Sequence, residues 1–132
     1  MIVEVKKTFE LTDDDITDIV VTALEGGIGY WACLDNSGPE YMDAPEDETV
    51  SETVARLLLN GEEVHFFDNE DDGTTYVITL DAIKEAIQQY IEEGYDAYSN
   101  AFAGMVPEIE QVDANVADII FQLAIFKEVV FG

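Results

Sequence analysis

Basic side chains are scarce in this chain of 132 residues: five Lys and Arg stand against 30 Asp and Glu, a formal net charge of −25. Proteins bind DNA, RNA and anionic membranes largely by neutralising phosphates with Lys and Arg. We therefore expect no direct binding to nucleic acid or membrane. The partners that this charge favours are cationic: a basic protein, a metal ion, or the salt of a halophilic cytoplasm. The halophile explanation accounts for the acids but not for the richness in Ile and Phe.

Cysteine and histidine occur once each, as Cys33 and His65. A single cysteine can form neither an intrachain disulfide nor a Cys-based zinc site, which suits a reducing cytoplasm. His65 has no second ligand at metal-binding spacing and is interpreted as a strand residue. Cys33 follows Trp31 in an apolar stretch and is interpreted as a small buried side chain. A Cys33–His65 dyad would need two strands to pair and a third orienting group that the sequence does not show.

Long apolar runs and catalytic motifs are also missing. The most apolar segment, residues 116–125, is interrupted by Asp118 and Gln122 and is too short to span a bilayer. No basic region followed by an apolar one opens the chain, so we expect no signal peptide and a cytoplasmic location. P-loop, G-x-S-x-G and H-E-x-x-H patterns are absent from the sequence. We expect no enzymatic activity, no cofactor and no metal site.

The segment 68–73, DNEDDG, comes nearest to a metal motif. Positions one, three, five and six of an EF-hand loop are matched by Asp68, Glu70, Asp72 and Gly73. The twelfth position holds Thr79 in place of the bidentate Glu, and the flanking residues have the pattern of strands. We interpret the segment as the polar tip of a hairpin.

Hydrophobic periodicity predicts one α+β domain over residues 1–132, with helices packed on a small, mostly antiparallel sheet of about four strands. The predicted order is β-α-β-α-β-β-α-α, and the third and fourth strands form a hairpin. The predicted strands cover residues 2–10, 28–34, 62–67 and 74–80. The predicted helices cover residues 12–24, 51–61, 81–93 and 113–130.

Helix ends are marked by polar residues and glycines. Thr12 is expected to cap the first helix. Glycines that cradle a phosphate precede a helix, whereas Gly26 and Gly27 follow one. We therefore predict that one of these two is the left-handed residue that ends the first helix. Ser51 is expected to cap the second helix and Gly61 to stop it.

The last helix is apolar on nearly all sides and has to be covered on all of them. That requires either a central position in the fold or a partner subunit. Self-association as a homodimer would use Ile120, Phe121 and Ile125.

Carboxylates are more numerous than solubility requires, since a small domain needs a net charge of only about 2–8. Such repulsion strains the compact state. DNA carries one charge per ~1.7 Å of its axis, so a folded array of carboxylates can imitate it in a cationic groove. The candidate contact residues are Asp14, Asp18, Glu25, Asp35, Glu40, Asp43, Glu46, Asp47, Glu48, Glu52, Glu70, Asp71 and Asp72.

Two segments resemble a family of small proteins encoded by bacteriophages and prophages: DITDIVVTALEGGIGYW (15–31) and VDANVADIIFQLAIFKEVVFG (112–132). A looser match is TYVITLDAIKEAIQQYIEE (75–93). The chain departs from the family pattern in its acidic stretch 35–52 and in Lys127, where a Gly is expected. The resemblance implies no catalytic residues. It implies a phage context, in which small acidic proteins often act by binding host proteins.

Together these observations predict a phage accessory protein that inhibits a host nucleic-acid-binding defence factor, such as a CRISPR effector or a restriction enzyme, through a DNA-mimicking acidic surface. One alternative is a small-ligand binder, for instance a sponge for a signalling nucleotide; another is a structural protein of the virion. A ligand pocket would use aromatic residues, namely Tyr30, Trp31, Tyr76 and those from Tyr90 to Phe102. An anionic ligand would also need some of the basic residues Lys6, Lys7, Arg56 and Lys84.

Overall fold

A computed structural model describes residues 1–3, 8–71, 73–95, 101–104 and 106–132 and has the predicted α+β class. Over these residues the antiparallel sheet has three strands, where about four were predicted, in the order β1 (Ala32–Leu34), β2 (Val64–Asp68), β3 (Thr75–Ile78). The α-helices are α1 (Asp13–Thr22), α2 (Pro39–Met42), α3 (Val50–Leu59), α4 (Leu80–Glu92) and α5 (Ala114–Phe126). A π-helical turn (Ala23–Gly27) extends α1, and a 3-10 turn (Ile109–Gln111) precedes α5.

The predicted opening strand is wrong where the structure describes it. Residues 1–3 and 8–10 belong to no strand, and residues 4–7 lie outside the described residues. The second predicted strand is shorter than expected because its first half is a turn. The amides of Trp31 and Ala32 both donate to the carbonyl of Ile28 at 3.0 Å. Among the described elements the order therefore begins with α1, and a short helix, α2, interrupts the expected acidic loop.

The predicted hairpin is confirmed. Strand β2 pairs antiparallel with β3, with Phe66 opposite Tyr76, and with β1 on its other side. Side chains alternate between the two faces of a strand. Val64, Phe66 and Ile78 point toward the helices and are at most 1% exposed.

Side-chain caps fix where the helices begin. The hydroxyl of Thr12 accepts the amide of Asp15 at 3.1 Å and the Asp15 carboxylate accepts the amide of Thr12 at 2.9 Å, a capping box. Ser51 was expected to cap α3, but the cap is Thr49, whose hydroxyl accepts the amide of Glu52 at 3.1 Å. A capping box needs a Glu or Gln three residues after the cap. Thr49 has Glu52 at that position, whereas Ser51 has Val54.

The end of α1 differs from the prediction. Neither Gly26 nor Gly27 has a positive φ, and both lie in the π-helical turn. A Cβ on Gly27 would lie 2.9 Å from the carbonyl oxygen of Ala114 and 3.4 Å from the amide nitrogen of Asp118. Glycine therefore serves close packing against the start of α5. A left-handed glycine after a helix does occur at Gly61 (φ +85°), where the stop of α3 was predicted.

Helix α5 lies at the centre of the fold. Helix α4 packs along it, the π-helical turn rests on it, and Phe66 of the sheet meets Phe121 edge-on at 6.5 Å between ring centroids. Ile120 and Phe121 are fully buried and Ile125 is half-buried. Ile120 and Phe121 thus offer no surface to a second subunit, and the central position accounts for their apolar character. Within the described ranges, no helix has the length and apolar character needed to cross a bilayer.

The two ends of α5 have different caps. Asp113 begins the helix as predicted, since its carboxylate accepts the amide of Val116 at 2.9 Å. The helix ends at Phe126, short of residue 130, because Lys127 adopts a left-handed conformation (φ 63°). The following tail folds back onto the helix.

Candidate functional site

One face of the sheet is not covered by any helix that the structure describes. The strand register places Cys33, His65, Phe67, Thr75 and Val77 on the side opposite the core. Phe67 is half-buried and the other four are exposed, with Val77 keeping 42% of its surface accessible. We call these five residues the outer sheet face.

Carboxylates border the end of the outer sheet face at which β2 begins. The amide of Asp35 donates to the carbonyl of His65 at 2.9 Å. Glu63 Oε2 lies 3.7 Å from His65 Nε2, a contact that becomes an ion pair when the imidazole is protonated. The hydroxyl of Ser37 donates to Asp35 at 2.6 Å, which lowers the pKa of that carboxyl group.

Tyr41 connects further acids to this end. Burial raises the pKa of the Tyr41 phenol, and the negative charges of Glu40, Asp35 and Glu62 raise it further. These carboxylates are therefore close enough to act on one phenol. They also act on one another, which concentrates negative potential near the start of β2.

The hairpin turn supplies carboxylates at the other end of the sheet. Asp68 Oδ1 accepts the amides of Glu70 and Asp71 at 2.8 and 3.1 Å, and Asp68 Oδ2 accepts the hydroxyl of Tyr76. The bond from Tyr76 is the main cause that lowers the pKa of Asp68. Burial, followed by this same bond, raises the pKa of Tyr76 to about 12. The turn is thus fixed by its own side chains, as expected for a polar hairpin tip.

The predicted contact residues do not form one cluster. Asp35 and Glu63 adjoin His65 of the outer sheet face. With Glu40 and Glu62, which act together with Asp35 on Tyr41, and with Glu70 and Asp71 of the hairpin turn, we call them the acidic rim. Glu52 is occupied in the cap of α3. The others with exposed side chains are Asp14 and Asp18 on α1, Glu25 in the π-helical turn, and Asp43, Glu46 and Asp47 between α2 and α3. Asp72 lies outside the described residues.

Glu48 is held by a cation. Its carboxylate accepts Arg56 Nε at 3.1 Å and Nη2 at 3.1 Å, and it also accepts the hydroxyl of Thr53 at 2.7 Å. These bonds, that from Arg56 first, lower the pKa of Glu48. The described residues form two other contacts of this kind, Lys127–Glu85 and His65–Glu63. Most of the negative charge in the described part of the chain is therefore unpaired.

A separate apolar cavity of about 360 Å³ lies between one side of α4, the start of α1 and the end of α3. Its apolar lining is Phe9, Leu11, Ile16, Leu59, Leu80, Ile87 and Ile91. Its polar lining is Thr8, Asp13, Lys84 and Gln88. Of the basic residues considered for an anion site, Lys84 lines this cavity and Arg56 binds Glu48. Lys6 and Lys7 lie outside the described residues.

The aromatic residues expected to line a ligand pocket pack against one another instead. Trp31 and Tyr90 are 2% and 1% exposed. Trp31 stacks on Phe131 with ring centroids 5.2 Å apart, and Tyr76 meets Trp31 edge-on at 5.8 Å. Tyr90 packs on Tyr95 and Phe102, and Tyr30, although 55% exposed, donates its hydroxyl to Asp118. Trp31 and Tyr90 are therefore closed to a ligand, contrary to the prediction. Residues 96–100 of the predicted aromatic segment lie outside the described residues.

A buried polar cluster on α5 was not predicted. Asp118, 6% exposed, accepts the hydroxyl of Tyr30 at 2.6 Å, the indole N–H of Trp31 at 2.8 Å and the amide of Gln122 at 2.9 Å. Gln122 Oε1 in turn accepts the amides of Val130 and Phe131, both at 2.8 Å. A signal was present: polar residues four positions apart on an otherwise apolar helix face the same side.

This polar cluster joins the two segments that carry the family resemblance. Tyr30 and Trp31 belong to the first segment, and Asp118 and Gln122 to the second. Gly27 of the first segment also packs against the second, at Ala114. The side chains of these residues stabilise the fold and do not form an open site.

Cys33 is exposed, which corrects its interpretation as a buried residue, because it points to the uncovered side of the sheet. Strands β1 and β2 do pair, as a dyad would require, but Cys33 lies opposite Phe67. His65 instead lies beside Glu63. In the described part of the chain, no group of three or more His, Cys, Asp or Glu is placed to hold a metal ion.

Two features of the described structure are therefore able to receive a partner or ligand: the outer sheet face with its acidic rim, and the cavity beside Lys84. They differ in chemistry, since the first is an open surface bordered by negative charge and the second is an apolar hollow. Comparison of the chain with protein-family models, with curated proteins and with solved structures finds no match.

Proposed function

We propose that this protein inhibits a nucleic-acid-binding protein by presenting carboxylates to the cationic groove in which that protein holds its nucleic acid. The observation that carries the proposal is the net charge of −25 together with the few ion pairs that the described residues form. A groove that attracts phosphates attracts such a surface by the same Coulomb forces.

Order in the acidic turns supports this function. Asp68, Asp71 and Asp35 each accept hydrogen bonds from nearby amides or hydroxyls, so their carboxylates have fixed positions. Groups that are ordered before binding do not lose side-chain freedom when the complex forms. An unfolded acidic chain of equal charge lacks this advantage.

The proposed setting is a bacterial cell infected by a phage, with the protein acting in the host cytoplasm as an accessory protein. The proposed targets are a CRISPR effector or a restriction enzyme, because both hold DNA in basic grooves. Blocking that groove would protect phage DNA without any catalytic step.

Displacement of a fluorescent DNA duplex from a purified CRISPR effector and from a restriction endonuclease tests the proposal. Fluorescence anisotropy is followed at low salt as this protein is added. We expect release of the duplex from at least one of these targets near a one-to-one ratio. Polyglutamate of similar charge is the control and should release less DNA. Retention of DNA by every target, or equal release by polyglutamate, would refute the function.

The cavity beside Lys84 favours a second candidate function, the binding of a small molecule with an apolar body and one anionic group. Its volume of about 360 Å³ suits such a ligand, and Asp13 on the same lining disfavours a multiply charged nucleotide. Native mass spectrometry of protein purified from infected cells tests this candidate. A retained ligand that is lost in the Lys84→Met variant would support it, and protein at its unliganded mass would refute it.

A further inference from the structure

The apolar centre of the outer sheet face is the starting observation. Phe67 is half-buried and Val77 is 42% exposed, and the thiol of Cys33 lies beside them on the neighbouring strand. Apolar and aromatic side chains at the middle of an exposed patch, with polar groups around them, are the arrangement found in protein–protein interfaces. The inward faces of the same strands pack against the helices, with Val64, Phe66 and Ile78 at most 1% exposed, so the outer side is the more open one among the described residues.

The border of this face carries one sign of charge. The acidic rim comprises Asp35, Glu40, Glu62 and Glu63 near the start of β2, and Glu70 and Asp71 in the hairpin turn. Of the described basic residues, Arg56 is bound to Glu48, Lys127 contacts Glu85 and Lys84 lines the separate cavity. An apolar centre with a uniformly acidic border complements a surface with an apolar residue among Arg and Lys side chains.

A depression at the hairpin end of the outer sheet face indicates which side chain of the partner could bind there. It has a volume of about 450 Å³ and is lined by Cys33, Phe67, Asp68 and Asn69. The carboxylate of Asp68 takes no part in binding there, because it lies on the other side of the strand and accepts the hydroxyl of Tyr76. Phe67 presents its aromatic ring there, and a guanidinium group can stack on such a ring. The depression therefore fits an arginine side chain of the partner.

Charge repulsion disfavours a second copy of this chain as the partner that binds the outer sheet face. Two copies that met through this face would bring two acidic rims into contact, and like charges that face each other across an interface disfavour it strongly. The net charge of −25 on each copy adds to this repulsion. A basic partner removes both penalties.

We propose that the outer sheet face and its acidic rim form the docking site for a basic protein, which inserts an arginine beside Phe67 and covers Val77. This inference rests on the proposed function and names the surface that performs it. The remaining acids on α1 and between α2 and α3 then contribute long-range attraction, not contact.

The test is a titration of isotopically labelled protein with a synthetic peptide of alternating Arg and Leu residues, followed by NMR. It is run at about 150 mM salt, where attraction between exposed charges farther apart than ~8 Å is largely screened. We expect the shifted resonances to concentrate at Cys33, His65, Phe67 and Val77 and at the acidic rim. Val77→Ser should weaken binding by about fivefold through lost apolar contact.

Matched variants separate this site from charge in general. Val50→Ser removes an equally exposed valine from α3, and Glu110→Lys makes the same charge change as Glu63→Lys away from the rim. Val50→Ser and Glu110→Lys should bind the peptide within about twofold of wild type, whereas Glu63→Lys should bind clearly less. Equal effects within each pair, or shifts spread over all acidic elements, would overturn the docking site.

The DNA-displacement assay distinguishes the two failures. Displacement that persists unchanged in Val77→Ser and Glu63→Lys would leave the inhibitory function intact and place its contacts elsewhere. Failure of the wild-type protein to displace DNA from any target would refute the inhibitory function itself. Sedimentation equilibrium that shows a dimer broken by Val77→Ser would assign the face to a second copy and overturn the basic partner.

Discussion

Among single residues, Gly27 shows how a close contact determines which amino acid a position accepts. A Cβ there would be 2.9 Å from a backbone oxygen of α5, which cannot move without shifting that helix. We predict that Gly27→Ala lowers the free energy of unfolding by about 1–3 kcal/mol, as expected for an overpacked core position. Urea unfolding followed by circular dichroism measures it. Gly29→Ala is the control, because a Cβ on Gly29 meets nothing within 4 Å; equal losses in both variants would contradict the packing.

Lys127 is a residue in a conformation that suits glycine. It has a φ of 63° and ends α5, at the position where the family resemblance leads us to expect Gly. We predict that Lys127→Gly raises the free energy of unfolding by about 1 kcal/mol, because the strain of the left-handed backbone is relieved. Thermal unfolding would show a higher midpoint. Lys127→Ala keeps the Cβ and loses the contact to Glu85, so a gain of the same size in that variant would argue against relief of strain.

Glu48 gives a residue-level prediction about pH. Its pKa is lowered in the folded state by Arg56 and Thr53, so its contribution to stability is present above the pKa of the unfolded carboxyl group, about 4.3. That contribution is lost as the pH falls through the folded pKa. We predict that Glu48→Gln is less stable than wild type at pH 7 and that the difference shrinks toward pH 3. Chemical denaturation at both pH values measures it, with Glu46→Gln on the same segment as the control. A difference that is constant with pH would contradict the role of the charge.

Among whole elements, α3 begins two residues before the predicted position, at the cap Thr49 instead of Ser51. Thr49 accepts the amide of Glu52, and Ser51 lies inside the first helical turn. We predict that Thr49→Ala lowers the free energy of unfolding by about 1 kcal/mol, the usual cost of losing an N-cap. Ser51→Ala should change it by much less. Guanidinium denaturation of the two variants compares them, and the reverse ranking would show that the helix begins two residues later.

Elements set by neighbouring residues were predictable from the sequence, and those set by distant contacts were not. The capping box at Thr12, the hairpin and the stop at Gly61 each depend on a few adjacent residues. The exposure of Cys33 depends on which side of the sheet the helices cover. The acidic rim likewise depends on strand pairing, which brings Asp35 beside His65 across 30 positions of sequence. Composition predicted an acidic contact surface but could not separate the rim from the other acids.

On the scale of the whole molecule, net charge dominates the expected response to salt. Repulsion among exposed carboxylates destabilises the compact state, and salt screens it. We predict that raising NaCl from about 20 to 500 mM stabilises the fold by on the order of 1 kcal/mol, or about 4 °C in Tm. Scanning calorimetry measures this shift. An equal concentration of sucrose is the control, because sucrose is also excluded from the protein surface but does not screen charges. A Tm that is independent of NaCl would contradict a strained acidic surface.

We propose that this protein competes with nucleic acid for a cationic groove by virtue of its charge, and the salt dependence of binding tests this claim. The affinity of the protein for a target that releases DNA in the displacement assay is measured from low to high salt by isothermal titration calorimetry. We predict tight binding at about 50 mM salt and a loss of tenfold or more by about 500 mM, because attraction between exposed charges is screened. Binding of the same strength at every salt concentration, or no complex at low salt, would contradict the claim.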